Sequence, residues 1–592
     1  MTPEVSTDAS GTPNTRRFRI GLALSGGGFR AAIFHLGVIR RLEELGIMKD
    51  VDVISAVSGG SVIAAYYVCE MEKRLRQVEP KLWIDTATRV AIFEQIAEDF
   101  LKAVDHNLRT RALIFTPFYH PLPFVKTLVL KAFRRGARSE LIQREYDRWF
   151  YDGDTIDQLP SVTPQRAARA TAPVLHGPKV ILNTTSLLTG ERVSFSREPN
   201  SAMTEMKRSN ENSLPLSRVV GASSGVPVLF PPTPIYGDML VDGGVADNQG
   251  IEALLPAEKL EECMAHLNAH ERALLLEVVR ETPQILLVSD ASGQLEAIHT
   301  IGAGESEVFL RVNSILQFQV RSKLIDRLNQ WKDARPDSRY LAFTHLFLNL
   351  KDRGVTERLP AEMIPAVARI RTDLDQFSFA ERDALMYHGY TLIDAQIKEY
   401  CKPLTLAYPV SNNPPRAMPP LFFSATLDTR KKRDDIRDEL EAGAQNVFLL
   451  RSFKKYRYLV GSVFVGWVAA LIGVLYLLFG RYTMPLELTQ RWAKSVLIGI
   501  TSSWVGVALD WLLRYARLPA RPLLVEGIAS LVGAGVLVAL AGYVLAFPMY
   551  RLVRILVLRA DRRNYHRLTG KDPTTHWGSD PMAEQTQVSP AE

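Results

Sequence analysis

Hydrophobic and polar positions divide the chain into unlike parts. Residues 1–17 are rich in Thr, Ser and Pro, which predicts a disordered tail. From Phe18 an apolar run through Leu24 carries strand character and stops at Ser25-Gly26-Gly27-Gly28. Ile33, Leu36, Val38, Ile39, Leu42 and Leu45 then recur at helical spacing as far as Gly46. Val51 to Val57 reads as a second strand. It turns at Ser58-Gly59-Gly60-Ser61 into a helix that reaches Val78 at most, because Pro80 disfavours helix just before it. Strand, tight turn and helix, twice over, predict an α/β fold with a mostly parallel central sheet.

Further along, residues 92–150 read as a helical insert. Within it, Lys126 to Arg135 is basic and amphipathic, either a helix over the core or a cap that touches lipid. Val180 to Asn183 and Val193 to Phe195 flank Gly190 and predict paired strands. Leu240-Val241 leads into Asp242-Gly243-Gly244, and Ile285 to Ser289 is a buried-strand candidate. Residues 300–400 read as helices, Lys402 to Pro420 as a Pro-rich linker, and Thr429 to Glu441 as a charged helix.

The following part is strongly apolar. Tyr458 to Phe479 is free of charge for roughly 22 residues, enough to cross a bilayer core. Leu523 to Phe547 is long enough too, and Val496 to Leu513 is a weaker third candidate carrying Asp510. Arginines on every flank leave orientation undecided by the positive-inside rule.

Composition sharpens this division. At 592 residues the chain exceeds one core, and roughly two to four units are expected. The net charge is +7, and much of the excess flanks the apolar part, at Arg451, Lys454, Lys455, Arg457, Arg551, Arg554, Arg559, Arg562 and Arg563. That placement suits anionic lipid headgroups; no nucleic-acid partner is expected, since no zinc-finger spacing or aromatic-basic platform is present. Cys69, Cys263 and Cys401 are sparse and far apart, which fits a reducing compartment, and no pair has metal-ligand spacing. Met1 to Arg17 lacks the apolar core of a secretory signal, so the first domain is expected to stay in the cytoplasm.

Three short motifs carry candidate chemistry. Ser58 sits on a strand-to-helix turn among small residues, Ala56-Val57-Ser58-Gly59-Gly60, as an exposed nucleophile requires. Ser25-Gly26-Gly27-Gly28-Phe29-Arg30 can turn successive N–H groups toward an anion, as an oxyanion hole or a phosphate loop. It lacks the Lys-Ser/Thr pair of a Walker A loop; a dinucleotide fingerprint with Ala31 as last small residue and Asp50 or Asp52 downstream stays open. Val241-Asp242-Gly243-Gly244 places an acid at a strand end, where a plain turn is the simpler reading. A Ser-Asp-His triad would need His299, His345 or His388 as base, none in a small-residue loop.

Taken together, the glycine-rich loop, the Ser58 elbow roughly 30 residues later, Gly221-Ala222-Ser223-Ser224-Gly225-Val226-Pro227-Val228-Leu229-Phe230-Pro231-Pro232, Asp242-Gly243-Gly244 and Asn248 resemble the patatin-like phospholipase family. The resemblance is strong over roughly residues 18–250. It thins toward residue 400, where Arg371-Thr372-Asp373-Leu374-Asp375 and His388-Gly389-Tyr390 look like a feature of bacterial members, and it does not cover the apolar part. It implies a three-layer α/β/α domain and a Ser–Asp dyad with Ser58 as nucleophile and Asp242 as general base. An oxyanion hole would form from Gly26, Gly27 and Gly28, with Arg30, Gly60, Gly243, Gly244 and Asn248 supporting the site. No cofactor and no metal are implied. Ala31 and Ala56 stand where the family pattern has glycine.

The expected organisation is therefore a tail at 1–17, an acyl hydrolase domain at 18–400 (core 18–290, insert 92–150, extension 300–400), a linker and charged helix at 401–450, an all-α transmembrane region at 451–563 and a disordered tail at 564–592. The expected activity is hydrolysis of fatty-acyl esters of phospholipid or lysophospholipid. The expected setting is an integral membrane protein, in a bacterial inner membrane, with a cytoplasmic catalytic domain. An acyltransferase using the same dyad, or a lipid-binding scaffold without activity, is the alternative.

Overall fold

The computed structural model describes residues 18–109, 111, 137–160, 162–167, 174–198, 213–227, 230–255, 282–293, 305–350, 359–408, 430–445, 555 and 558–567. The chain divides into two compact units, Met1–Ser452 with Asn564–Glu592, and Phe453–Arg563. In the second, the described residues are helical. The three expected spans, the basic piece Lys126 to Arg135, Cys263 and His299 lie outside the described residues. Among the described residues, no helix is long and apolar enough to cross a membrane.

The first unit is built on an eight-stranded sheet. β1 (Ile20–Leu24), β2 (Val53–Val57), β3 (Lys179–Ser186), β4 (Arg192–Phe195), β5 (Thr233–Ile235), β6 (Asp238–Asp242), β7 (Ile285–Asp290) and β8 (Tyr340–His345) take the order β5-β6-β3-β2-β1-β7-β8, with β4 also on β3. β3, β2, β1, β7 and β8 pair in parallel, whereas β4, β5 and β6 pair antiparallel. The sheet is thus mixed, where a mostly parallel one is expected from the sequence. Two of the three antiparallel pairings close at tight turns: Gly190 (φ 76°) between β3 and β4, and Tyr236-Gly237 (φ 51° and 83°) between β5 and β6. Such short turns allow only antiparallel return. Within 300–400, expected to be helical, β8 extends the sheet beyond β7 instead. Its six residues, Tyr340–His345, alternate between the two faces, too few for a core helix.

Alternation along the central strands separates two apolar layers. Ile20, Leu22, Leu24, Ile285 and Leu287 face the larger core, shared with α1 (Gly28–Glu44), α2 (Gly59–Leu75), α3 (Thr86–Val104) and a later helix, Phe379–Tyr400. Ala23, Leu286, Val288 and Leu341 face a smaller cluster with Leu328 and Trp331 of the long helix Glu305–Asp333. Three layers result, helix on sheet on helix.

The later helix shows how closely the extension belongs to this core. Ser378 caps it by accepting the Glu381 N–H, while the Glu381 carboxylate accepts the Ser378 N–H at 2.7 Å. Gly389 on this helix approaches Phe34 O of α1, and Gly37 of α1 approaches Met386 O, so the two backbones touch where a Cβ would not fit. Beyond it, Lys402–Ala407 forms a short helix at the start of the expected linker, and Arg430–Gln445 is the charged helix. Residues 564–567 are helical, with Tyr565 buried and its hydroxyl on the Asp383 carboxylate.

Candidate active site

Ser58 follows β2 directly and caps α2 with φ 50° and ψ −119°, a conformation that non-glycine residues rarely adopt. Such a backbone costs on the order of 1–3 kcal/mol and persists only where neighbours over-determine it. Here the neighbours are specific. The Ser58 N–H donates to Ser223 Oγ at 3.0 Å, and Ser223 Oγ donates to Asn183 O at 2.6 Å. Ser61 Oγ lies 2.8 Å from the same oxygen. Gly59 and Gly60 press the turn against the glycine loop: a Cβ on Gly59 would collide with Gly28 O, and one on Gly60 would lie 2.7 Å from Ser25 O. The Ser58 side chain sits at the N-terminus of a 17-residue helix, whose dipole favours negative charge there.

Strand register brings the acid in from far along the chain. Val57 pairs with Asn183 on β3, and the next β3 residue, Thr184, pairs with Asp242. Asp242 therefore ends β6 on the far side of β3 from Ser58. Its carboxylate accepts the Gly244 N–H at 2.7 Å and lies close enough to the Ser58 hydroxyl for that hydroxyl to favour its charged form. No described histidine is among its partners. Burial dominates its electrostatics and pushes its pKa up to about 6, against the lowering effects of the Gly244 N–H and the Ser58 hydroxyl. Gly243 packs on Asn183 O, and a Cβ on Gly244 would lie 2.6 Å from Asn248 Oδ1, so this turn tolerates only glycine-sized residues. His388, a base candidate from the sequence, instead places Nε2 2.8 Å from Leu346 O and packs on Phe34; its burial lowers its pKa to about 4.

The glycine loop lies at the end of β1, and only part of it is free. Gly26 N–H donates to Asn248 O at 2.9 Å, which removes Gly26 from the expected set of oxyanion donors. Gly27 (φ 138°) and Gly28 (φ 59°) turn the chain into α1, and their N–H groups find no acceptor among the described residues. Arg30 is buried. Its guanidinium donates to Ile370 O at 2.7 Å and Ala291 O at 3.0 Å, so it braces the loop against the extension and β7. Burial lowers its pKa to about 10, partly opposed by Asp290. Ala31 and Ala56, the departures from the family pattern, are buried without displacing these contacts.

Four contributors escape a reading of short motifs. Ser223 lies in the quoted Gly221–Pro232 segment, but nothing in that string assigns it to the Ser58 backbone. Asn183, mid-strand, also donates Nδ2 to Ser55 Oγ and Ala56 O. His35 on α1 places Nε2 3.0 Å from Ser25 O and Nδ1 2.7 Å from Ser289 Oγ, fixing the base of the glycine loop. Tyr146 has its hydroxyl 3.0 Å from Ser224 Oγ; burial raises its pKa, and the nearby Asp242 carboxylate adds to the rise. Among the described residues no cluster of His, Cys, Asp and Glu could hold a metal ion.

Comparison with known proteins bears on the same residues. The family model described as patatin-like phospholipase matches residues 22–255. Among solved structures, the chain is similar to human GIVD cytosolic phospholipase A2 solved with methyl γ-linolenyl fluorophosphonate, at 17% identity over 31% of this chain and 23% of that one, with a TM-score of 0.20. It is also similar to VipD from Legionella pneumophila, at 14% identity over 89% of this chain and 90% of that one, with a TM-score of 0.26. No curated protein matches it.

Proposed function

We propose that the chain, whose residues 22–255 match the patatin-like phospholipase family model, is a lipid acyl hydrolase that cleaves fatty-acyl esters of phospholipid or lysophospholipid with Ser58 and Asp242 as a catalytic dyad. The observation that carries this reading is the proximity of the Ser58 hydroxyl to a buried Asp242 carboxylate, at the N-terminus of α2 and beside two N–H groups that find no acceptor among the described residues.

The chemistry follows from those groups. Ser58 Oγ attacks the ester carbonyl carbon as its proton passes to Asp242, and the carbonyl electron pair moves onto oxygen. The N–H groups of Gly27 and Gly28 face the resulting oxyanion, each donor being worth on the order of 3 kcal/mol. Collapse of the tetrahedral intermediate expels the alcohol, which takes the proton back from Asp242. A water molecule then gives its proton to Asp242 and attacks the acyl-serine; collapse releases the fatty acid while the departing Ser58 Oγ takes that proton back from Asp242. A carboxylate is ordinarily a weak base for serine. Burial raises Asp242 toward neutrality and makes it a better one.

Membrane attachment through the apolar stretch between Tyr458 and Phe547, with the catalytic domain on the cytoplasmic side, belongs to the same proposal. It rests on hydropathy, the flanking arginines and the sparse cysteines. Anchoring would keep the site near an insoluble substrate and raise its effective concentration.

The test is hydrolysis of a p-nitrophenyl acyl ester and of mixed phospholipid vesicles by the detergent-solubilised chain, with labelling by a fluorescent fluorophosphonate. Ser58→Ala is expected to abolish the adduct, and both Ser58→Ala and Asp242→Asn to lower kcat by at least about a thousandfold. Full activity in either variant overturns the dyad. An adduct without hydrolysis, but with acyl transfer to an added alcohol, would turn the reading to an acyltransferase.

A further inference from the structure

Four successive backbone N–H groups, from Gly26 to Phe29, form the glycine loop, and the outer two are tied. Gly26 N–H donates to Asn248 O at 2.9 Å and Phe29 N–H to Asp373 O at 2.7 Å. The pair at Gly27 and Gly28, which finds no acceptor among the described residues, is thus strung between two carbonyl anchors. One anchor lies a few residues beyond Asp242. The other comes from Arg371-Thr372-Asp373-Leu374-Asp375, a segment to which the dyad assigns no task. The second anchor is tight: a Cβ on Gly28 would lie 2.5 Å from Asp373 O, so the two backbones meet with no side chain between them.

What holds the Asp373 carbonyl there is a compact polar knot. The Asp373 carboxylate accepts its neighbours' N–H groups, Leu374 at 2.7 Å and Asp375 at 3.2 Å, which folds the segment back on itself. Arg109, just beyond the end of α3, then spans two carboxylates, with one guanidinium nitrogen 2.9 Å from Asp373 Oδ1 and the other 2.9 Å from Asp375 Oδ2. Its neighbours fasten the same segment. Leu108 N–H donates to Leu374 O at 3.1 Å, and Asn107 Oδ1 accepts Gln376 N–H at 2.9 Å. Arg371 is less committed to the pair. Its Nε stands 3.5 Å from Asp373 Oδ2, while its terminal nitrogens serve Glu381 at 2.7 Å and Gln376 O at 2.6 Å.

Two buried carboxylates this close repel each other unless a cation lies between them. Burial and Asp375 together already raise the Asp373 pKa to about 6, against the lowering effect of Arg109 and Arg371. Without Arg109 the carboxylates must separate or take up protons. Either change would loosen the segment that carries the Asp373 carbonyl, and a shift of a fraction of an ångström at an oxyanion donor is felt in rate.

We propose that Arg109 is a positioning residue for the oxyanion donors: by bridging Asp373 and Asp375 it fixes the Asp373 carbonyl on Phe29 N–H and so aims the Gly27 and Gly28 N–H groups at the reacting carbonyl. The proposal rests on the reading of Ser58 as an acyl-hydrolase nucleophile.

The experiment compares Arg109→Met, Arg109→Lys and Asp375→Asn in the full chain, with Leu328→Ala as a control for destabilisation in the smaller core. With a p-nitrophenyl ester, Arg109→Met is expected to lower kcat by about ten- to a hundredfold with KM within about twofold, because an oxyanion donor acts only in the transition state. Arg109→Lys should recover part of the loss. Leu328→Ala should lower the thermal midpoint without lowering kcat. Amide exchange read by mass spectrometry over residues 26–33 should speed up in Arg109→Met and not in the control. If Arg109→Met does not fold, Asp375→Asn removes one leg of the bridge and is expected to give the same signature at smaller size. Unchanged kcat and unchanged exchange in the folded variants overturn the proposal, as does an equal kcat loss in Leu328→Ala. The exchange arm judges the anchor even if Ser58→Ala shows that the chain is not a hydrolase, so the two failures are told apart.

Discussion

Ser223 Oγ accepts the backbone N–H of Ser58 at 3.0 Å and donates its own O–H to Asn183 O at 2.6 Å. One buried hydroxyl thereby ties the strained elbow to β3, the strand that lies between Ser58 and Asp242. Ser223→Ala leaves the Ser58 N–H and Asn183 O without this partner. It is expected to cost about 1–3 kcal/mol of stability. It should also lower kcat more than KM, since the elbow is then free to relax. Thermal melts and steady-state kinetics on the same preparation check both; a variant as active and as stable as the parent would remove Ser223 from the account.

Asp242 makes the site pH-dependent in a defined direction. In the proposed dyad its basic form accepts the Ser58 proton, so kcat/KM should rise with pH through an apparent pKa of about 6 and level off above it. A pH–rate profile of the purified chain measures this.

The same group has the opposite effect on stability. Its folded-state pKa lies above the ordinary 3.8, so the folded protein holds the proton more tightly than the unfolded chain does. The cost of its charge is absent below about pH 4 and grows as pH rises through 6. Asp242→Asn should therefore be inactive yet more stable at neutral pH, by on the order of 3 kcal/mol, with the gap closing near pH 3. Melts across that range are decisive: a variant less stable than the parent at neutral pH contradicts the expected burden of the buried charge.

Gly59 tests the close packing of elbow on loop. A Cβ there meets the Gly28 carbonyl oxygen, which belongs to the backbone and cannot swing aside. Gly59→Ala is expected to cost more than about 3 kcal/mol or to displace the glycine loop, with activity lost in either case. Gly153→Ala makes a useful contrast: φ is 84° there, yet nothing lies within 4 Å of the added carbon, so only local strain of about 1 kcal/mol is expected. Paired melts and fluorophosphonate labelling separate the two.

Tyr565 and Asp383 make a prediction far from Ser58. Burial raises Asp383 to about 7, opposed by the hydrogen bond from the Tyr565 hydroxyl and by Arg382. The folded pKa is raised, so charging Asp383 costs stability as pH climbs through 7. Tyr565→Phe removes a partner of the charged form. Its penalty should be about 1 kcal/mol near pH 5 and about 2–3 kcal/mol near pH 9. A pH-independent penalty in thermal or denaturant unfolding would contradict the assignment.

Much of the fold is legible along the chain because its signals are local. Helical spacing from Ile33 to Leu45 and the short strands before Ser25 and Ser58 need only neighbouring residues to be read. The β3–β4 hairpin around Gly190 is equally local. β8 is less so, since Tyr340–His345 becomes a strand only because β7 offers an edge to pair with. The expected membrane spans lie in the part of the chain outside the described residues, and hydropathy remains their support.

The order of residues alone determined the chemical inventory: a serine on a turn of small residues, a run of glycines that can present N–H groups, and an acid before two glycines. Chain position could not say which of those groups meet, because Ser58 and Asp242 are brought near each other only through the pairing of Val57 and Asp242 with successive residues of β3. Nor could it say that Gly26 N–H is consumed by Asn248 O, that Ser223 holds the elbow, or that Asp373 grips Phe29. Those are long-range hydrogen bonds whose partners are chosen by packing and register. Local propensity sets what each segment is, and only the closed tertiary structure decides what it touches.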